Sequence, residues 1–204
     1  MKILQFAARV VSFLFHPLII PTAGFLLLMN TNFHFALLTF EAKKLILLVV
    51  FLSTFLLPLV SIGFMSLNKK VKLDLDKHTD RVLPMLYSAV FYYLGYYFLN
   101  RLPIYPVYRV FLISSVLIIV LLLFISIRWK ISAHMAGIGG LIGAIIALSL
   151  RLGMNTTLLV MVLFGIAGLI GSARLLLGKH TLLQVFAGFF LGFLVNYLVL
   201  GLIW

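Results

Sequence analysis

Long apolar runs constrain this chain more than any other feature of its sequence. A helix needs about 20 mostly apolar residues to cross a bilayer. Seven stretches reach or approach that length, at residues 10–29, 45–66, 82–99, 106–127, 133–150, 155–173 and 182–203. Only 10% of the residues are charged, whereas soluble domains carry roughly 25%. No water-soluble fold covers that much apolar surface, so we predict an all-α, polytopic transmembrane helix bundle of six to seven helices.

The first of these runs is the weakest span. Pro17 and Pro21 interrupt it, and a proline inside a helix removes a backbone donor and breaks the helix. A broken or partly interfacial segment there would leave six full spans. The basic start of the run resembles a signal peptide, but the apolar stretch is long enough to span and no cleavage-like site follows it. We therefore expect one integral membrane domain over residues 1–204.

The charge of the chain is +12, from sixteen Lys and Arg against four Asp and Glu. In a soluble protein this excess would indicate nucleic acid, but beside a bilayer the simpler partners are anionic lipid headgroups. We expect the membrane, and no nucleic acid, as partner. Eleven of the sixteen cations fall on the face that holds the N-terminus and the segments 67–81, 128–134 and 172–181. The positive-inside rule places that face in the cytoplasm, and we expect the inner membrane of a bacterium.

Small residues recur four apart in the later helices. The pairs are Ala136 and Gly140, Gly139 and Gly143, Ala167 and Gly171, and Gly188 and Gly192. Pairs of this kind let two helices approach closely in lipid. We predict that these residues pack helices together and carry no chemistry.

Three polar clusters break the apolar pattern. They are Lys77-His78-Thr79-Asp80-Arg81 with Pro84, then Ser132-Ala133-His134, then Ser172-Ala173-Arg174 with His180 and Gln184. Two helices separate each cluster from the next, and an even number of crossings returns the chain to the same membrane face. Ionisable residues at membrane depth are functional candidates by default. We therefore predict that the three clusters meet in one site.

The residue types of these clusters suit phosphoryl transfer. Cations and hydroxyls bind a phosphate, with Arg acting as a planar fork and Lys as a point charge. One neutral His can attack phosphorus while a second, protonated His delivers a proton to the leaving oxygen. A zinc site is less favoured because the cations would repel the metal, and the zero Cys count removes thiolate ligands. We predict a site with no metal and no cofactor.

The clusters resemble the motifs of the type 2 phosphatidic acid phosphatase superfamily of membrane phosphatases. That family carries Lys followed by Arg-Pro, then Pro-Ser-Gly-His, then Ser-Arg with His six residues after the Arg and Asp four residues later. The chain matches the third motif in Arg174 and His180, with Gln184 at the Asp position, and the second in Ser132 and His134. The resemblance spans residues 77–184 and implies a helix bundle of that type.

By this resemblance the site would hydrolyse a phosphomonoester or diphosphate of a membrane lipid. His180 would be the nucleophile that forms a phosphohistidine, and His134 the acid that protonates the leaving group. The phosphate would be bound by Lys77, Arg81, Ser132 and Arg174. The first motif departs most, because Lys77 lies four residues before Arg81 and Pro84 is not adjacent to it. Lys72 is an alternative to Lys77.

Gln184 is the departure from the family motifs that matters most for the chemistry. A Gln can accept a hydrogen bond from the nucleophilic imidazole but carries no charge to stabilise an imidazolium. In the serine protease triad the corresponding loss of charge lowers turnover about 10⁴-fold. Asp80, in the first cluster, could supply the missing carboxylate. The alternative is a catalytically degenerate relative that binds phosphorylated lipid or serves as a structural membrane subunit.

The other histidines have simpler interpretations. His16, beside Pro17, is expected to cap backbone groups that the broken helix leaves unpaired. His34 and His78 are expected to be loop residues.

Overall fold

The computed structural model of the chain describes residues 2–31, 38–67 and 79–202. These residues form eight α-helices, and a 3₁₀ turn at Thr79–Arg81 precedes the fourth. The helices are α1 (Lys2–Leu14), α2 (Ile20–Thr31), α3 (Phe40–Leu67), α4 (Val82–Leu99), α5 (Pro106–Ser126), α6 (Ala133–Leu152), α7 (Thr157–Leu176) and α8 (Leu182–Leu202).

Within these ranges, six helices are long and apolar enough to cross a membrane, namely α3 to α8. This confirms the predicted all-α, multi-pass membrane protein. The first apolar run is divided between α1 and α2, as its prolines indicated. The residue before a proline is disfavoured in the α region, so α1 ends at Leu14, ahead of His16 and Pro17. The described residues therefore contain six helices that could span, within the six to seven that were predicted.

The helices pack in two compact units. The first unit is formed by Met1–Ile20 and Lys130–Trp204, and the second by Pro21–Trp129. The first unit thus contains α1, α6, α7 and α8, and the second contains most of α2 with α3, α4 and α5. The single membrane domain over 1–204 stays a prediction.

In the first unit, α6 and α8 run parallel with their backbones in contact. Gly188 of α8 lies against the backbone of Ser132 at the start of α6, and Gly143, further along α6, lies against the backbone of Phe193. Gly139 likewise lies against the backbone of Phe189, and Gly192 against the backbone of Ala136. Any side chain at these positions would meet backbone atoms of the neighbouring helix. The predicted packing role of the small residues is confirmed at these four glycines.

A hydrogen bond from a buried side-chain amide joins the same two helices. The side chain of Asn196 is 2% exposed, and its Nδ2 donates to the Gly140 carbonyl over 2.9 Å. Hydrogen bonds of this kind join helices in lipid, where water offers no alternative partner. The bond fixes the register of α8 along α6.

In the second unit, α2 packs through Phe25, whose ring stacks on Tyr108 at 5.6 Å between centroids. The long helix α3 contains a π-helical turn at Leu52–Leu56, in which Leu57 N donates to the Leu52 carbonyl. Pro58 lacks the N–H that would bond four residues back, and a shift to five-residue hydrogen bonds accommodates such a break.

Candidate functional site

The six-residue spacing from Arg174 to His180 is produced by a helix-ending motif. The N–H of Lys179 donates to the Arg174 carbonyl over 3.1 Å, and the N–H of Gly178 donates to the Leu175 carbonyl over 2.9 Å. This is the Schellman arrangement, which requires a left-handed residue after the helix. Gly178 supplies it with φ +62°. The motif ends α7 with Arg174 in its last turn and directs the chain towards α8.

His180 and Gln184 are joined where α8 begins. Thr181 is the N-cap of α8, since its carbonyl accepts from the Val185 N–H over 3.1 Å. Gln184, three residues later, turns back so that its Oε1 accepts from the Thr181 N–H over 3.2 Å. The Thr-x-x-Gln sequence therefore forms the Gln half of a capping box. The same Oε1 lies 3.1 Å from Nδ1 of His180.

These contacts determine the tautomer of His180. A backbone N–H can only donate, so the Gln184 atom facing Thr181 is the carbonyl oxygen. That oxygen can only accept, so His180 Nδ1 must donate its proton to it. The lone pair of a neutral His180 is then on Nε2. The ring, only 7% exposed, is held in the protonation pattern that a nucleophilic imidazole needs.

Ser132 has the position of a capping residue without the usual hydrogen bond. It is the N-cap of α6, yet its side chain makes no capping bond. The residue is fully buried, and its Oγ has no hydrogen-bond partner among the residues that the structure describes. A buried hydroxyl without a partner is costly. The oxygen is closed off from solvent, so it could bind a phosphate, as the resemblance implies, only after the packing around it opens.

The N-terminal ends of α6 and α8 contribute partial positive charge to this part of the first unit. The Ser132 N–H donates to the Gln184 carbonyl over 3.3 Å, which holds the starts of α6 and α8 together. Helix N-termini carry a partial positive charge and favour anions. Arg174 adds a full positive charge from the end of α7. The arrangement is suited to a phosphate.

His134, in the first turn of α6, is oriented by α1. Its Nε2 lies 3.1 Å from the carbonyl oxygen of Ser12, and because a carbonyl only accepts, Nε2 carries the proton. This carbonyl is available because α1 ends early. In a continuing helix the His16 N–H would bond to it, but here the His16 N–H bonds to the Phe13 carbonyl. The lone pair of a neutral His134 is then on Nδ1.

Two further contacts connect α1 to the site. Nη1 of Arg174 donates to the Ser12 hydroxyl over 3.5 Å, which is a long hydrogen bond. The ring of His16 meets the ring of His134 edge-on, at 5.5 Å between centroids.

His16 also accepts from the Leu18 N–H at Nδ1, over 3.4 Å, which confirms its predicted capping role. Burial, and then the Arg174 charge, lower the pKa of His16, so it adds no charge near neutral pH.

The first unit thus brings together five of the predicted site residues, namely Ser132, His134, Arg174, His180 and Gln184. The other three stay predictions. Asp80 and Arg81 lie in the 3₁₀ turn of the second unit. Lys77 lies outside the described residues, as do Lys72, His34 and His78.

Sequence reasoning did not identify two parts of this site. The Thr181-x-x-Gln184 capping box is a recognisable sequence signal, and it would have predicted that Gln184 turns back over His180. Ser12 offers no such signal, because its contact with His134 is made by a backbone carbonyl.

The donors that could hold a metal are few. Within the described part of the chain, no group of three or more His, Cys, Asp or Glu side chains is placed to bind one. The chemistry available from the assembled residues is that of two imidazoles, a guanidinium and a hydroxyl.

Comparisons of the chain with family models, with curated proteins and with solved structures find no match. The phosphatase resemblance therefore rests on the motif residues of the sequence alone.

Proposed function

We propose that this protein is a membrane-embedded lipid phosphatase that hydrolyses a phosphomonoester or diphosphate of a lipid through a phosphohistidine, without a metal. The observation that carries the proposal is the pair of hydrogen bonds to Gln184 Oε1, from Thr181 N and from His180 Nδ1. They leave the lone pair of a buried imidazole on Nε2. Ser132, with its unused hydroxyl, and Arg174 supply phosphate ligands in the same unit.

The first chemical step would form a bond between His180 Nε2 and phosphorus. The bond from phosphorus to the lipid oxygen breaks, and its electron pair goes to that oxygen, which takes a proton from the His134 imidazolium. The proton comes from Nδ1, because Nε2–H is engaged by the Ser12 carbonyl. Water then attacks phosphorus and gives a proton to His134 Nδ1. The N–P bond breaks, its electron pair returns to His180 Nε2, and phosphate leaves.

A lipid is the substrate class that fits best. Six spanning helices leave little of the described chain outside the bilayer to recruit a soluble substrate, so entry would be sideways between helices. The headgroup would carry a terminal phosphate or diphosphate, as phosphatidic acid or an isoprenyl diphosphate does. Arg81 and Lys77 are proposed as further phosphate ligands, Asp80 as a source of negative charge, and the bacterial inner membrane as the location.

The second candidate is a degenerate relative that binds phosphorylated lipid without turning it over. One observation favours it: the capping box gives Gln184 a structural role at the start of α8, and its side chain brings no charge to His180. The fixed tautomers of His180 and His134 favour chemistry, because binding alone would need cations more than imidazoles of set orientation.

The test is phosphate release from a panel of phosphorylated lipids by purified protein in detergent, with a chelator present. Wild type is compared with His180→Ala and with Asn155→Ser. Asn155 is exposed, between α6 and α7, at the opposite end of α7 from Arg174, and its replacement should leave activity unchanged. We expect release by wild type and by Asn155→Ser, and none by His180→Ala.

Activity that persists in His180→Ala would contradict the phosphohistidine. Absence of release from all three proteins, with lipid binding retained, would favour the binding protein. Release that occurs only when the chelator is omitted would contradict the metal-independent mechanism.

A further inference from the structure

We propose that the C-terminal turn of α1 is part of the site, and that Ser12 is a positioning residue for both His134 and Arg174. None of the motifs that carry the phosphatase resemblance includes α1. The inference rests on the proposed function for its effect on turnover, but its geometric content can be tested without any activity.

The first step of the argument is the acceptor for His134. The last carbonyls of a helix lack partners within that helix. The Ser12 carbonyl is one of them, because the His16 N–H bonds to the Phe13 carbonyl instead. His134 Nε2–H donates to the Ser12 carbonyl over 3.1 Å. Because this bond occupies Nε2, any proton delivered to a leaving group comes from Nδ1. The end of α1 therefore leaves Nδ1 as the nitrogen of His134 that would deliver a proton.

The second step is charge. A helix C-terminus carries a partial negative charge and stabilises cations in the last turn and beside it. The end of α1 lies against His134 and Arg174, which are the proton donor and a phosphate ligand in the proposed mechanism. The helix end would thus offset part of the repulsion between these two groups when both are charged.

The third step is the hydroxyl of the same residue. Ser12 is 8% exposed, and its Oγ accepts from Arg174 Nη1 over 3.5 Å. The carbonyl oxygen of Ser12 thus accepts from His134, the proposed acid. Its hydroxyl oxygen accepts from Arg174, a proposed phosphate ligand. The ring of His16, in the turn after α1, meets the His134 ring edge-on.

Two substitutions separate the two oxygens. Ser12→Ala removes the hydroxyl and keeps the carbonyl, so we expect weaker phosphate binding with the His134 tautomer unchanged. Pro17→Ala allows α1 to continue, so that the His16 N–H can take the Ser12 carbonyl and His134 loses its acceptor. Gln5→Ala, at an exposed position of α1, and Pro21→Ala, at the start of α2, are the matched controls.

The measurements are the dissociation constant for inorganic phosphate and the tautomer of His134. The tautomer is read by ¹⁵N NMR of histidine-labelled protein in detergent, with the signal assigned by its loss in His134→Gln. Ser12→Ala should raise the dissociation constant, and the KM for lipid, about 5-fold, as expected for one hydrogen bond to a charged group at long distance. Pro17→Ala should convert His134 from Nε2–H to a tautomer mixture and lower kcat, while both controls behave as wild type.

The proposal is overturned if Pro17→Ala, with wild-type helicity, leaves His134 fully Nε2–H, or if Ser12→Ala binds phosphate as wild type does. Failure of the proposed function looks different: wild type would release no phosphate from any lipid. The His134 tautomer in wild type and Pro17→Ala would still decide whether α1 orients the ring. If Pro17→Ala does not fold, a wild-type His134 signal that is not Nε2–H contradicts the proposal by itself.

Discussion

Gln184 takes part in two hydrogen bonds through one oxygen atom. Because Thr181 N and His180 Nδ1 both donate to Oε1, the cap of α8 and the orientation of His180 depend on the same side chain. Gln therefore provides the orienting part of what a carboxylate would do, and lacks the electrostatic part. The two parts can be separated by substitutions of similar length.

We expect Gln184→Glu to raise kcat about 10- to 100-fold, because the carboxylate keeps both acceptor contacts and adds the charge that a triad carboxylate contributes. Gln184→Met, which has a similar length and no strong acceptor, should lower kcat about 100-fold by releasing the His180 tautomer. Steady-state kinetics on the best lipid of the panel measure both.

A Gln184→Glu protein with wild-type or lower kcat, and with the wild-type fold, would contradict this division of roles. Gln184 would then act on the helix cap alone.

At the scale of elements, the contact between α6 and α8 is set by glycines. Gly192 of α8 meets the backbone of Ala136 and Gly140 in α6, and backbone atoms cannot rotate away as a side chain can. In contrast, Gly165 of α7 has open space around the position of a Cβ. Two glycines of neighbouring helices therefore predict opposite responses to one added methyl group.

Gly192→Ala should destabilise the protein by about 2 kcal/mol or more, as overpacking of a close contact does. Gly165→Ala should be neutral or more stable by up to about 1 kcal/mol, because alanine costs less conformational entropy in a helix. Thermal or denaturant unfolding in one detergent compares the two. Equal stability of the variants would contradict the backbone contact described for Gly192.

At the scale of the whole molecule, the prediction that an apolar helix crosses the bilayer can be tested one helix at a time. The helix α7 has 20 residues, which gives about 30 Å at 1.5 Å per residue and matches the hydrocarbon thickness of a bilayer. Asn155 and Lys179 lie just beyond its two ends. The chain has no cysteine, so a single introduced thiol reports one position without background.

Asn155→Cys and Lys179→Cys should react with a membrane-impermeant maleimide from opposite sides of the membrane. By the excess of cations on its face, Lys179→Cys should be accessible from the cytoplasm. Labelling of intact cells and of inverted vesicles measures this. Reaction of both positions from one side would contradict α7 as a span.

The sequence predicted the features that depend on the identity of side chains. Apolar length predicted the spans, and the prolines predicted the break between α1 and α2. The small residues predicted close helix contacts without indicating which helices make them. The even number of helix crossings predicted that the second and third clusters meet, and the Ser132 N–H does donate to the Gln184 carbonyl. Ser12 was missed because His134 contacts its backbone carbonyl, a group that every residue has. Only the structure shows that α1 ends where this carbonyl can accept from His134.

The backbone contact of α6 with α8 also has an evolutionary consequence. A residue such as Gln184 can change when the chemistry of a site is lost or altered, because alternatives fit the same space. The four contact glycines have no such freedom, since any side chain would separate the two helices that hold the site. Relatives that have lost the motif residues should therefore still be recognisable by glycines at these four positions.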